Sequence, residues 1–223
     1  YTLLLALGLA CIPFNPLRAA RLLCYGWFLY GAIFLVAIAV APRLPWLRTV
    51  AATLVCLIGA VAWYSFQVEP FRLEVTHYQV VSPRISQPLK IGVVADYQTD
   101  KLAEYEKRAW SLLMQERPDL ILMPGDFLQA NTRSKWERLR DETNAYLREI
   151  EFSAPLGIYA VGGNTDFRRR WPEIFANLPV HTLRDTKTIE TEQFVVTGLS
   201  VEDSFSTQLS VPRYGDKLHI VLG

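Results

Sequence analysis

Three polar side chains follow apolar, strand-like runs of the sequence. Asp96 ends the run "KIGVVAD", Asp126 ends "LILMPGD" and Asn164 ends "GIYAVGGN". Ligand sites of open α/β sheets lie beyond the carboxyl ends of the strands, so these three oxygen donors are expected to converge. Hard oxygen donors suit divalent cations, and a bridging carboxylate is the core of a two-metal phosphate-cleaving site. Taken singly, each residue could instead simply begin a turn.

The elements that would position these residues alternate along the chain. Three buried strands are predicted at 89–96, 120–126 and 157–164, and two amphipathic helices between them at about 102–116 and 132–150. An alternating segment at 72–82 predicts a further amphipathic strand, and "VHTLRDTKTIE" (180–190), "TEQFVVTGLS" (191–200) and "KLHIVLG" (217–223) predict later ones. Near-continuous apolar strands separated by helices predict the α/β class, with helices covering a sheet.

The N-terminal part of the chain differs from the rest in charge. Residues 1–71 contain four arginines and one glutamate, with no lysine or aspartate. Uncharged runs at 22–41 and 49–68 are each long enough for a helix that crosses a bilayer, although buried soluble helices are the competing interpretation. The apolar stretch at 1–17 is interpreted as the end of an earlier span. We therefore expect a multi-pass transmembrane segment at 1–70 and a globular domain at 71–223.

Composition narrows the functional classes. Beyond residue 71 the chain carries 19 basic and 21 acidic side chains, which gives no indication of nucleic acid binding. All three cysteines (Cys11, Cys24 and Cys56) fall in the apolar runs, so a disulfide framework or a cysteine-based metal site is not expected in the globular domain. The two connections before and after the run at 22–41 carry two arginines each, Arg18 and Arg21 in the first and Arg43 and Arg48 in the second, which leaves the side of the membrane open.

The strand-end residues together resemble the signature of the calcineurin-like metallophosphoesterases. In that family Asp-x-His, Gly-Asp and Gly-Asn-His-Asp/Glu follow successive strands, and the matching stretches here are "DYQ" (96–98), "GD" (125–126) and "GNTD" (163–166). The resemblance runs from about Leu73 to the end of the chain. The stretch at 74–96 is similar to the beginning of the catalytic domain in the membrane-anchored bacterial branch. The resemblance implies a double β-sheet sandwich flanked by helices.

The resemblance also implies a role for each matching residue. Asp96 corresponds to a ligand of the first metal, Asp126 to the carboxylate that bridges both metals, and Asn164 to a ligand of the second. Asp126 and Asn164 are accordingly the expected catalytic residues. The expected cofactors are two divalent metal ions, which could be Mn, Fe, Zn or Mg.

Two positions depart from the family pattern. Gln98 replaces a histidine, but its amide oxygen can still bind Mn²⁺ or Mg²⁺, so it stays an expected metal ligand. Thr165 replaces the histidine thought to protonate the leaving group, and general acid catalysis of this kind contributes roughly 10²–10⁴ in rate. The family's later histidine ligands would follow Gly223, and neither His181 nor His219 matches them. The phosphoesterase domain is therefore expected to be incomplete at its C-terminus.

The basic stretch "FRRRW" (167–171) directly follows the third motif. Arginine suits bidentate contact with phosphate, so Arg168 is the first candidate for substrate binding. A solvated start of a helix is the competing interpretation. His77 is interpreted as an exposed strand residue rather than a ligand.

The apolar runs favour a multi-pass membrane protein, and the resemblance implies a bacterial cell membrane and the hydrolysis of phosphoester or pyrophosphate bonds. Its expected partners are the lipid bilayer and a phosphorylated small-molecule or lipid-linked substrate. The main alternative is a catalytically degenerate member that binds or regulates at the membrane, because two motif histidines are replaced. A transport or sensor protein with an accessory globular part is the third possibility.

Overall fold

The structure is a computed structural model, and it describes residues 16–40 and 45–223 apart from 86, 167, 213 and 216. The chain divides into two compact units, Tyr1–Arg72 and Leu73–Gly223. Each unit has its own helices or strands.

The first unit consists of apolar helices. Helix α1 spans Pro16–Val40, and helix α2 spans Pro45–Trp63 and continues through a π turn (Tyr64–Val68) and a 3-10 turn (Glu69–Phe71). The continuous helix Pro45–Phe71 is the one helix, among the residues that the structure describes, that is long and apolar enough to cross a membrane. Its 27 residues extend about 40 Å, which exceeds the hydrocarbon core of a bilayer.

The predicted spans relate to these helices in different ways. The span at 49–68 lies inside the helix Pro45–Phe71, and large apolar side chains such as Leu57, Val61 and Trp63 are exposed along it. The span at 22–41 coincides with α1 as far as Val40. The partial span at 1–17 lies almost wholly outside the described residues. A single helix that could span a membrane is weak evidence of membrane association, and the multi-pass arrangement stays a prediction.

The second unit is built on a four-stranded parallel sheet. Its strands are β1 (Ile91–Val93), β2 (Leu120–Met123), β3 (Ile158–Val161) and β4 (Val180–Leu183), hydrogen-bonded in that order. Alternate side chains of each strand face opposite sides of the sheet. Because all four strands run the same way, their carboxyl ends lie along one edge, which we call the carboxyl edge.

One face of this sheet is covered by helices. Helix α3 (Glu104–Gln115), helix α4 (Arg133–Glu149) and a 3-10 helix (Arg168–Phe175) pack their apolar sides on it. The shared core is rich in aromatic side chains, including Trp110, Trp136, Phe127, Phe152 and Trp171. Thr132 begins α4, since its hydroxyl accepts a hydrogen bond of 3.3 Å from Lys135 N.

The other face is covered by a second, mixed sheet. Strands β5 (Lys187–Glu190) and β6 (Phe194–Gly198) are antiparallel, while β6 and β7 (Leu218–Leu222) are parallel. A one-turn helix, α5 (Val201–Ser204), follows β6. Buried side chains from both sheets form the core between them: Leu120, Leu122, Tyr159, Val161, Leu183, Phe194, Val196 and Leu222. The predicted α/β class is confirmed.

Two details of the strand predictions are wrong. The segment 72–82, predicted as an amphipathic strand, forms no strand, and Tyr78, Val80 and Val81 are more than four-fifths exposed. The predicted strand at 180–190 is instead two strands, because the chain leaves the first sheet after Leu183 and enters the second at Lys187. The hydrophobic periodicity of a segment indicates that it favours a strand, but it does not determine which sheet the segment joins.

Candidate functional site at the carboxyl edge

The backbone takes an unusual conformation where the first two strands end. Asp96, Gln98 and Asp126 have φ angles of 51°, 37° and 58°, and Gly125 has a φ of 88°. Residues with side chains rarely adopt this left-handed region, and such conformations cluster at functional sites. Two of the predicted motifs therefore coincide with the left-handed positions at this edge.

The loops after β1 and β2 are joined by backbone hydrogen bonds. Gln98 N donates to Asp126 O at 2.6 Å, and Thr99 N donates to Phe127 O at 3.2 Å. Gln129 N returns a bond of 2.7 Å to Thr99 O. The parallel pairing thus resumes beyond the strands and holds the first motif against the second.

The loops after β2 and β3 are in closer contact still. A Cβ atom on Gly125 would lie 2.6 Å from the Cα of Gly163, and one on Gly163 would lie 2.6 Å from Cγ of Asp126. Thr165 binds Oδ1 of Asp126 twice, through its backbone N–H at 2.9 Å and its hydroxyl at 2.8 Å. Only glycine allows the two loops to approach so closely, and the approach fixes the carboxylate of Asp126.

The buried side chain of Asp166 also joins the loops after β2 and β3. Its Oδ2 accepts hydrogen bonds from Asp126 N at 2.9 Å and Gly163 N at 2.8 Å, and its Oδ1 accepts one from Phe127 N at 2.7 Å. The residue is only 7% exposed. Burial raises the pKa of the Asp166 carboxyl, and the three backbone donors oppose that shift. The sequence alone assigns no role to Asp166. Its position three residues after Gly163 nevertheless permits a turn in which its side chain accepts a hydrogen bond from that glycine.

The expected metal ligands are available at the edge. Within the described part of the chain, no hydrogen bond is made by the side chains of Asp96, Gln98 or Asn164, nor by Oδ2 of Asp126. Asp96 and Asn164 are exposed, and Gln98 and Asp126 are partly buried. All four offer oxygen atoms, the donors that Mg²⁺ and Mn²⁺ prefer, so the donor set fits hard divalent cations. The described residues contain no cluster of three His, Cys, Asp or Glu side chains that could hold a metal ion.

A cleft opens beside the third motif. It has a volume of about 500 Å³, and we call it the β3–β4 cleft after the strand ends that border it. Its lining consists of loop, helix and strand-end residues: Gly162, Gly163, Asn164, Asp166, Trp171, Arg184, Val201 and Glu202. An expected metal ligand, Asn164, therefore shares a cleft with an arginine that sequence reasoning did not select.

The arginines near the site differ in their engagement. The side chain of Arg168, the predicted phosphate ligand, lies outside the described residues, although its backbone begins the 3-10 helix. Arg170 binds Glu173 at 2.7 and 2.9 Å and Glu137 at 3.3 Å, which raises its pKa, and it lies over the ring of Trp136. Arg184 is exposed and has no ion-pair partner within the described part of the chain.

The three histidines are engaged elsewhere. His77 Nε2 lies 3.1 Å from Glu116 at the end of α3, and His181 stacks on the ring of Tyr159 with centroids 4.9 Å apart. His219 Nε2 lies 2.8 Å from Thr197 Oγ1 in the second sheet. None of these contacts involves a residue of the three strand-end motifs.

No protein-family model matches this chain, and a search of curated proteins returns no match.

Proposed function

We propose that this protein is a membrane-anchored, divalent-metal-dependent phosphoesterase that hydrolyses phosphoester or pyrophosphate bonds. The observation that carries the proposal is the joining of three strand-end loops at one edge of a parallel sheet. Those loops bring oxygen donors of the predicted motifs to that edge, and two of the loops have left-handed backbone. Among the described residues, the side chains of Asp96, Gln98 and Asn164 and the Oδ2 atom of Asp126 have no hydrogen-bond partner.

Asp96, Gln98, Asp126 and Asn164 would hold two divalent cations, drawn from Mn, Fe, Zn or Mg. When bound, such ions lower the pKa of a water molecule and neutralise charge on the phosphoryl oxygens. Asp126 is the bridging candidate, because one of its oxygens is fixed by Thr165 while the other stays available. Asp166 fixes the backbone on both sides of that carboxylate.

The surroundings of Thr165 favour substrates with good leaving groups. Its hydroxyl donates to Asp126 Oδ1, and a hydroxyl has no pKa near neutrality with which to protonate a leaving oxygen. Pyrophosphate bonds and activated esters need little protonation of the leaving group. They are therefore the proposed bonds to be cleaved.

The apolar unit supports membrane anchoring. The helix Pro45–Phe71 supplies one possible span, and the predicted run at 22–41 would add a second in a multi-pass arrangement. We place the protein in a bacterial cell membrane on the resemblance alone. Attachment to a bilayer makes lipid-linked phosphates accessible, so they join phosphorylated small molecules as proposed substrates.

A second candidate function is a binding or regulatory module that retains the fold without turnover. The bonds from Thr165 to Asp126 favour it, because they occupy one oxygen of the proposed bridging carboxylate. The two candidates differ in turnover rather than in ligand class.

The deciding experiment uses the full chain in lipid nanodiscs with bis-p-nitrophenyl phosphate as the probe. Hydrolysis should require added Mn²⁺ and should be abolished in Asp126→Ala. Glu149→Gln is the matched control, since it removes an exposed carboxylate of α4 that has no partner among the described residues, and it should hydrolyse at the normal rate.

Unchanged hydrolysis in Asp126→Ala would refute the metal mechanism. Binding of two equivalents of Mn²⁺ without turnover of any phosphate ester would support the regulatory module instead. Absence of both binding and turnover would contradict both candidates.

A further inference from the structure

Arg184 occupies the fourth position along the carboxyl edge. Val161 pairs with Leu183 in the parallel register of β3 and β4, so Arg184 follows β4 as Gly162 follows β3. Neighbouring strands are about 4.8 Å apart, and the backbone of Arg184 is therefore roughly one strand spacing from the third motif. The sheet places a cation beside the proposed metal-binding oxygens.

The side chain of Arg184 has the features of a ligand-binding group. It is exposed and lines the β3–β4 cleft with Asn164, and it forms no ion pair or hydrogen bond with any described residue. Arg170, in contrast, already binds the carboxylates of Glu173 and Glu137. A guanidinium offers a planar pair of donors that matches two phosphate oxygens.

The carboxylates of the cleft argue against a site that binds any anion. Asp166 uses its oxygens on backbone N–H groups, but Glu202 adds an exposed carboxylate to the same lining. A ligand must therefore place one phosphate near Arg184 while it avoids Glu202 or offers that carboxylate a hydroxyl or an amine. Trp171, which is 4% exposed, also lines the cleft.

From this arrangement we infer that the β3–β4 cleft recognises a second phosphate of the substrate, held by Arg184 next to the phosphate that is attacked. The inference rests on the proposed function and narrows it. The substrate class becomes a diphosphate-bridged compound, and a simple diester would lack the group that Arg184 binds.

The test compares two probes in the full chain in nanodiscs with Mn²⁺. UDP-glucose carries two bridged phosphates, whereas bis-p-nitrophenyl phosphate carries one. Arg184→Gln should raise KM for UDP-glucose about 10- to 100-fold, as expected for a lost hydrogen-bonded charge pair, and should change KM for the diester less than about twofold. Arg184→Lys should restore part of the loss, and Arg108→Gln on α3, an exposed arginine without a described partner, is the matched control.

A binding measurement separates this inference from the proposed function. Calorimetric titration with inorganic pyrophosphate, with and without Mn²⁺, should show weaker binding in Arg184→Gln and tighter binding in Glu202→Gln, which removes the opposing charge. If pyrophosphate binds in this manner but no probe is hydrolysed, the phosphate-binding role of Arg184 stands and the enzyme proposal fails. If the diester is hydrolysed while Arg184→Gln treats both probes as the unaltered chain does, the enzyme proposal stands and the inference is overturned. Failure of the unaltered chain to bind pyrophosphate also overturns the inference.

Discussion

Two polar regions of the globular unit use their charges in opposite ways. On the outer surface of α4 and the 3-10 helix, Arg140, Arg170, Glu137 and Glu173 bind one another, and both arginines lie over the ring of Trp136. At the carboxyl edge, the side chains of Asp96, Gln98 and Asn164 bind no described residue. Charges that pair with each other stabilise the fold, whereas unpaired donors on a fixed backbone are available to a ligand.

The difference extends to the backbone. The first region lies on α4 and the 3-10 helix, where hydrogen bonds within each helix stabilise the backbone. The second is held in left-handed conformations by cross-loop bonds and by the buried carboxylate of Asp166. Strain is maintained at this edge only because neighbouring loops over-determine it. Substitutions in the two regions should therefore separate stability from activity.

The largest effect is expected from Gly163→Ala. This change would disrupt the carboxyl edge and so remove its difference from the ion-paired surface of α4 and the 3-10 helix. The new Cβ would lie 2.6 Å from Cγ of Asp126, so the loops after β2 and β3 must separate. We expect a loss of about 1–3 kcal/mol in the free energy of unfolding and loss of Mn²⁺-dependent hydrolysis. Gly215→Ala is the control, because no atom of the described residues lies within 4 Å of its added Cβ. Thermal melting and the hydrolysis assay measure both effects, and a normal rate in Gly163→Ala would contradict the described contact.

The next effect is expected from Asp166→Asn. An amide has only one acceptor oxygen, so its NH2 group must face at least one of the three backbone N–H donors, and that buried donor loses its partner. The expected cost is about 1–3 kcal/mol, together with weaker Mn²⁺ binding because Asp126 is no longer fixed. Denaturant unfolding and Mn²⁺ titration test this. Asp100→Asn, which removes only an exposed pair with Lys135, should match the unaltered protein; equal behaviour of the two variants would argue against a positioning role for Asp166.

A smaller effect, of the opposite kind, is expected from Arg170→Met. This change removes the bonds to Glu173 and Glu137 and the contact with Trp136, so we expect a lower melting temperature. Hydrolysis should stay within about twofold of normal, because Arg170 binds Glu173 and Glu137 rather than a ligand. Arg138→Met, which loses one exposed pair at 3.8 Å, should change neither quantity. A large fall in hydrolysis with normal stability would show that Arg170 belongs to the site.

The smallest effect is expected from Glu116→Gln. A hydrogen bond from Lys90, and then one involving His77, lowers the pKa of Glu116 below its ordinary value of 4.5. The charged carboxylate therefore stabilises the fold above that value, and the contribution is lost as pH falls through the lowered pKa. Thermal melting from neutral to acidic pH should show a small advantage of the unaltered chain that disappears at low pH. Superimposable curves at every pH would show that this exposed contact contributes nothing.

The sequence predicts the parallel strands and the strand-end loops because both depend on local pattern. Apolar runs as long as those before Asp96 and Asp126 are too short for helices and too apolar for loops. Asp166 could not be assigned from pattern, because its three partners come from two loops that meet only in the folded sheet. Arg184 was missed for a similar reason, since only the register of β3 and β4 brings it beside the third motif. The segment 72–82 shows the opposite error: its alternating pattern predicts a strand, but the pattern cannot provide a neighbouring strand to pair with.

The cross-loop bonds from Gln98 to Asp126, and from Asp126 and Gly163 to Asp166, also make binding and folding a single equilibrium. The donor atoms are assembled only when all three strands are in register, so a cation or anion held there binds the native state and not the unfolded chain. Such a ligand stabilises the native state by about 2.7 kcal/mol at a hundred times its Kd. The melting temperature of the globular unit is therefore a direct readout of occupancy, and a panel of metal salts and phosphates can be ranked by it without any assay of turnover.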